Sequence, residues 1–245
     1  TPVDHQFIAD HERREEGGTP AIVESVRAGL VFKLQQAVGT DLIESLEANF
    51  KERALAQWKL NKNIEVLGDS SQEGLSIFSL RIKHEEADLH YGFVVALLND
   101  LFGIQARGGC SCAGPYGHEL LGMDLNYSRK LEKELNKGHM VMRPGWVRLN
   151  FNYFINEETF DYLLNAIEYV SELGWKLLPF YEFDADSGTW RYQGASMKLE
   201  SLCLESLFVE DQQPAMDPAK PLSEYLDEAL KELNKVDESR VRYSL

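Results

Sequence analysis

A chain of 245 residues with 44% hydrophobic composition is long enough for one large domain or two small ones with proper cores. Its 40 acidic and 25 basic residues give a net charge of −15 and a pI near 4.8, a balance that repels phosphate backbones and anionic lipid and so argues against nucleic-acid and membrane partners. No stretch approaches the roughly 18 apolar residues of a membrane span, the start is polar and unlike a secretory signal, and the three cysteines, Cys110, Cys112 and Cys203, do not resemble a disulfide framework, so a reducing, cytoplasmic setting is expected.

Residues 1–18 are polar and aperiodic, and are expected to be irregular. A helix is predicted from about Pro20, with Thr19 as its cap, Val23, Val26, Leu30, Leu34 and Val38 as an apolar stripe, and Gly39 as its stop. A second helix follows from about Asp41 to Trp58, with Thr40 as cap and Leu42, Leu46, Phe50 and Ala54 as its inner face. Residues 64–67 and 75–82 read as strands around a glycine-bounded turn. Leu89, Phe93, Leu97 and Leu101 mark a helix that Gly103 ends. Residues 104–107 and 146–151 read as strands, and 126–136 as a polar helix between them. Asn156 caps a further helix carrying Phe160, Leu163, Leu164, Ile167 and Val170, which Gly174 ends. Alternating helices and strands over 40–174 predict an α/β class, a sheet with helices against it. Residues 175–198 read as strands, 211–221 as a proline-rich loop, and Leu222, Leu226, Leu230 and Leu233 as a last amphipathic helix.

Three stretches carry candidate chemistry. In Glu15-Glu-Gly-Gly-Thr-Pro20, glycines admit a close ligand and Thr19 offers a hydroxyl at a helix start, where free N–H groups and the dipole favour phosphate. A plain helix cap explains the same residues. In Arg107-Gly-Gly-Cys-Ser-Cys-Ala-Gly-Pro-Tyr116, a thiol near an arginine in a glycine-rich loop fits a reactive thiolate. A glycine turn with two small thiols is the ordinary alternative, and no further Cys or His stands at zinc-ligand spacing from the pair. In Arg143-Pro-Gly-Trp-Val-Arg-Leu-Asn150, Arg148 sits in an apolar strand and needs an anionic mate. That mate is either a ligand carboxylate or one of the chain's own acids.

Taken together and in this order, the three stretches resemble the class V (cysteine-desulfurase-like) pyridoxal-phosphate enzymes. The run from Arg14 to Leu30 is similar to the segment that follows the family's cofactor lysine. The Arg107 stretch is similar to its Arg-x-Gly-x-x-Cys-Ala loop, and the Arg148 strand to its late arginine-bearing strand. The likeness spans about residues 10–174. It implies the small C-terminal domain of a fold-type I transferase together with the end of its large domain, with 1–39 as the end of the large domain, 40–174 as the small α/β domain and 175–245 as an extension. It implies that Gly18 and Thr19 reach a cofactor phosphate across a homodimer, that Arg148 binds the α-carboxylate of an amino-acid substrate, that Arg107 opens the active-site loop, and that Cys112 accepts sulfur or acts as an acid. Two histidines often precede that cysteine in desulfurases; Cys110 and Ser111 stand there instead. Residues 117–143 read as an insertion.

The lysine that would hold pyridoxal phosphate in such enzymes lies before the Gly-Thr-Pro segment, and the first lysine here is Lys33. The chain, which opens on Thr1, is therefore expected to be a C-terminal fragment, inactive alone, of a desulfurase, selenocysteine lyase or aminotransferase. The rival expectation is a non-enzymatic interaction domain that keeps the fold, and a third is a thiol redox module built on Cys110 and Cys112.

Overall fold

The computed structural model describes residues 3–72, 74–110, 114–194, 220–236 and 241. The chain divides into two compact units, 1–46 and 47–245.

In the first unit, a short helix α1 (His11–Glu15) forms where no regular structure was expected. Asp10 caps it by accepting from the Arg13 N–H at 3.1 Å. α2 (Ile22–Val38) starts later than the sequence predicts, and its N-cap is Ala21 rather than Thr19. The cause is local. Ala21, at φ −72° and ψ 76°, closes an inverse γ-turn in which the Ile22 N–H donates to the Pro20 carbonyl at 2.8 Å. That turn, not a threonine side chain, leads the backbone into the helix. Gly39 ends α2 at φ +93°, its N–H donating to the Gln35 carbonyl. No residue of α2 is buried, and Val23, Val26, Leu30 and Leu34 are each more than half exposed. Ile22, Val31 and Phe32 are exposed as well.

α3 (Thr40–Trp58) begins in the first unit and ends in the second, and Thr40 is its first helical residue. The second unit continues with β1 (Ile64–Val66), β2 (Ile77–His84), β3 (Ala87–Asp88), α4 (Tyr91–Phe102), β4 (Arg107–Gly109), α5 (Gly114–Leu120), α6 (Leu125–Leu135), β5 (Trp146–Asn150), α7 (Glu157–Leu173), β6 (Tyr181–Asp184), β7 (Thr189–Tyr192) and α8 (Leu222–Lys235). The main sheet runs β1-β2-β5-β4 with β3 hairpinned onto β2, and every pairing is antiparallel. β6 and β7 form a separate hairpin. The α/β class expected from the sequence holds: helices are mixed with two sheets. Residues 174–180, read as strand, form a 3-10 helix that continues from α7 and buries Lys176 and Leu177. The proline-rich stretch lies almost wholly outside the described residues.

One face of the sheet carries Phe78, Leu80 and Ile82 of β2 and Val147 and Leu149 of β5, all buried. They pack with Phe50, Ala54 and Trp58 of α3, Phe93 and Leu97 of α4, and Phe160 and Ile167 of α7. Aromatic rings organise this core. Trp58 meets Phe78 edge-on at 5.0 Å, Phe50 stacks on Phe160 at 4.6 Å, and Phe151 meets Phe160 at 4.9 Å. Each such ring contributes about 1.5–3 kcal/mol of burial, and favourable ring geometry adds about 0.5–1.5.

Candidate functional site

β4 is where the site is built, and its position follows from how α4 ends. Gly103 adopts the left-handed conformation at φ +64°, and its N–H closes the helix on the Asn99 carbonyl. Tyr162 of α7 donates its hydroxyl to the Phe102 carbonyl at 2.7 Å, which ties this helix end down from the other side. The chain then enters β4 three residues later than the sequence predicts, and Arg107 is the first strand residue.

Gly108 and Gly109, read from the sequence as a flexible turn, are packing residues. A Cβ on Gly108 would lie 2.9 Å from the Tyr91 ring and 3.0 Å from Val95. Gly145, just before β5, is tighter still: its Cβ would stand 2.6 Å from the Gly109 Cα and 2.7 Å from Tyr91 Cε1. The Tyr91 ring therefore lies against two strand backbones that can approach only because they lack side chains. Burial pushes the Tyr91 hydroxyl up, and the Arg143 guanidinium partly offsets this.

Pairing fixes the two candidate arginines. Arg107 stands directly opposite Arg148, and Arg148 directly opposite Ser79, in a row across β4, β5 and β2. Side chains alternate along a strand. Val147 and Leu149 lie in the core, so Arg148 and its neighbours Trp146 and Asn150 take the other face. Arg107 and Arg148 line one cleft of about 680 Å³, together with Gln105, Asn150, Thr159 and Tyr162. Neither guanidinium makes an ion pair or hydrogen bond with any described residue. Arg129 and Arg143 share that lack, whereas Arg53 pairs with Glu157 at 2.7 Å, and Arg81 with Asp88 and Glu65. Thus the simplest alternative for Arg148, an internal ion pair, finds no partner among the described residues.

At the other end of this face, α5 covers the sheet. A Cβ on Gly117 would sit 3.1 Å from the Cys110 sulfur and 3.4 Å from the Trp146 ring, which is 3% exposed. Cys110 is a half-buried free thiol. Cys112, the predicted acceptor thiol, lies outside the described residues. Gly18 and Thr19 belong to the first unit and are exposed. A Cβ on Gly18 would meet nothing within 4 Å.

Beside the site stands His90, which no sequence signal singles out. It caps α4: its Nδ1 accepts from the Gly92 N–H at 3.0 Å and from the Trp190 indole N–H at 2.9 Å. Two donors on Nδ1 leave the proton on Nε2, which lies near the Val141 carbonyl in poor hydrogen-bond alignment. Burial holds this imidazole below its ordinary pKa. A larger hollow of about 1760 Å³ opens between α4, the β6–β7 hairpin and α8; in it Tyr181 donates to Asp100 at 2.9 Å, and burial pushes that phenol well up. Among the described residues, no group of three His, Cys, Asp or Glu is placed to hold a metal ion, and no helix is long and apolar enough to cross a membrane.

No curated protein matches the chain. The family described as Aminotransferase class-V matches residues 2–162. That stretch contains the Gly18–Thr19 segment, the Arg107 loop and the Arg148 strand, and it covers well over half of the sequence. The mixed helices and two sheets are consistent with a domain of a fold-type I pyridoxal-phosphate enzyme, and the chain belongs to the class-V aminotransferase family.

Proposed function

We propose that this chain is the part of a class-V enzyme that grips the carboxylate of an amino-acid substrate, with Arg148 and Arg107 as the binding pair. The observation that carries the reading is the uncompensated arginine pair in direct cross-strand register on a cleft. Like charges placed directly opposite on a sheet destabilise it. An anionic ligand removes that cost, and a guanidinium fork takes a carboxylate through two parallel N–H···O bonds. The chain as a whole carries a net charge of −15, so the pair is a local positive site that selects and orients one end of a small substrate.

Pyridoxal phosphate, which the family's fold binds in general, does not fit the residues described. No lysine lines the arginine cleft. Lys33, the first lysine of the sequence, stands on the exposed α2, and Gly18 and Thr19 form no closed cradle within their own unit. We therefore assign the cofactor lysine to another part of a longer enzyme, of which 1–39 is the end of the large domain and 40–174 the small domain. The exposed apolar residues of α2, among them Val23, Val26, Leu30 and Leu34, support this assignment, since such a patch calls for cover. In that enzyme Gly18 and Thr19 face the cofactor phosphate across a homodimer and Cys112 is the loop thiol. Whether the reaction is desulfuration, lyase chemistry or amino transfer then turns on Cys112. In the longer enzyme, Cys112→Ala abolishes sulfide release if the thiol accepts sulfur and leaves amino transfer intact if it does not.

The exposed α2 also supports a second reading, an interaction domain that binds a partner and no substrate. Carboxylate binding separates the two. Arginine Nε–H resonances of the isotope-labelled chain are followed by NMR during titration with L-alanine. The proposal expects the Arg107 and Arg148 resonances to move together and saturably, and Arg148→Gln to remove the response. Resonances that stay in place up to high ligand concentration refute it.

A further inference from the structure

We infer that the cleft takes an amino acid with a second acidic group on its side chain, so that Arg148 and Arg107 each hold one anionic group. This rests on the proposed carboxylate-binding role of the pair and goes further, to the substrate class.

Charge and spacing point to this class of ligand. Directly opposed residues of an antiparallel pair have Cα atoms roughly 5 Å apart, and their side chains share a face. Two guanidinium forks so placed offer two bidentate docking positions. A single carboxylate satisfies one fork fully or bridges both incompletely, and in either case one positive charge remains unanswered. The chain carries 40 acidic residues, and acids compensate Arg53 and Arg81 in the same unit, yet none of the described ones is placed on Arg107 or Arg148. A ligand with two acidic groups a few bonds apart neutralises both. The rest of the lining suits the polar middle of such a ligand: Gln105 and Asn150 supply amides and Thr159 a hydroxyl. A small amino acid occupies only a fraction of about 680 Å³, so size does not exclude the extra group.

L-Aspartate and L-asparagine test this, because they match in shape and α-carboxylate and differ in the side-chain charge. Titrations of the intact chain at low ionic strength are read from the same arginine resonances. Aspartate is expected to bind at least about tenfold more tightly, the gain of one charge-assisted bidentate contact. The advantage is expected to shrink as salt is raised and to collapse toward one in Arg107→Gln. Equal affinities of the wild-type chain for the two ligands overturn the inference and leave the carboxylate site standing. No response of either arginine to either ligand overturns both. The wild-type comparison decides the matter even if Arg107→Gln fails to fold.

Discussion

Replacing His90 tests how the second unit is locked around the site. The imidazole does two jobs through one atom: Nδ1 caps α4 at Gly92 and receives the Trp190 indole from the β6–β7 hairpin. His90→Ala removes an N-cap, worth about 1 kcal/mol, and strands a part-buried indole donor, worth about 1–2 kcal/mol. We expect a total loss of about 2–3 kcal/mol in urea unfolding followed by far-UV circular dichroism at pH 7.5. His90→Asn restores the cap but does not reach Trp190, and recovers about 1 kcal/mol.

The same contact sets a pH dependence. Protonation turns Nδ1 into a donor facing two donors. Tyr91 stacks on His90, and Arg143 and Cys110 act on the Tyr91 hydroxyl; the hairpin presents Trp190 and Phe183, and the insertion presents the Val141 carbonyl. Because the folded-state pKa is lowered, the unfolded chain takes up the proton first as pH falls through the ordinary histidine range near 6.5. This contribution to stability is thus complete above about pH 6.5 and is lost progressively below it. One proton limits the slope to about 1.4 kcal/mol per pH unit. Wild type is expected to lose more stability than His90→Asn between pH 7.5 and 5. Identical pH dependence of the two, or an alanine cost below about 0.5 kcal/mol, refutes the reasoning.

Gly145→Ala forces a methyl against the Gly109 backbone and the Tyr91 ring, and is expected to cost about 1–3 kcal/mol and to disturb the Arg107–Arg148 register, seen as shifted amide resonances along β4. Gly29→Ala, in the middle of the exposed α2 where an added Cβ meets nothing, is expected to act in the opposite direction, raising helicity by circular dichroism through a gain of roughly 0.5–1 kcal/mol. If Gly145→Ala is neutral, the close strand approach is wrong.

What the sequence revealed of the fold depended on whether the signal was local. α4 and α7 carry their own stops and caps, Gly103 and Asn156, and both fall within two residues of the predicted bounds. β4 was misplaced because its limits come from pairing with β5, which is a non-local fact. The 3-10 helix at 174–180 has the aromatic and apolar composition of a strand, and only its packing under α7 decides otherwise. α5 went unread because its glycines and proline look like a loop; Gly117 is there to let the helix approach Cys110 and Trp146. The site was half legible. Each arginine could be singled out alone, Arg107 from its loop and Arg148 from its apolar strand. That they face each other, and that no described acid answers them, required the sheet register. Gly145 acts wholly through neighbours distant in sequence, and His90 through the distant Trp190 as well as the nearby Gly92.

On the proposed function, this chain grips a substrate but supplies no lysine for the cofactor. The most direct measurement is titration of the chain with pyridoxal phosphate, followed by borohydride reduction and mass mapping of the modified lysines. Scattered, low-level labelling of exposed lysines and no stable aldimine absorbance are expected. Saturable labelling of one lysine, with an absorbance that added cysteine perturbs, would contradict this and show that the chain holds a cofactor site of its own.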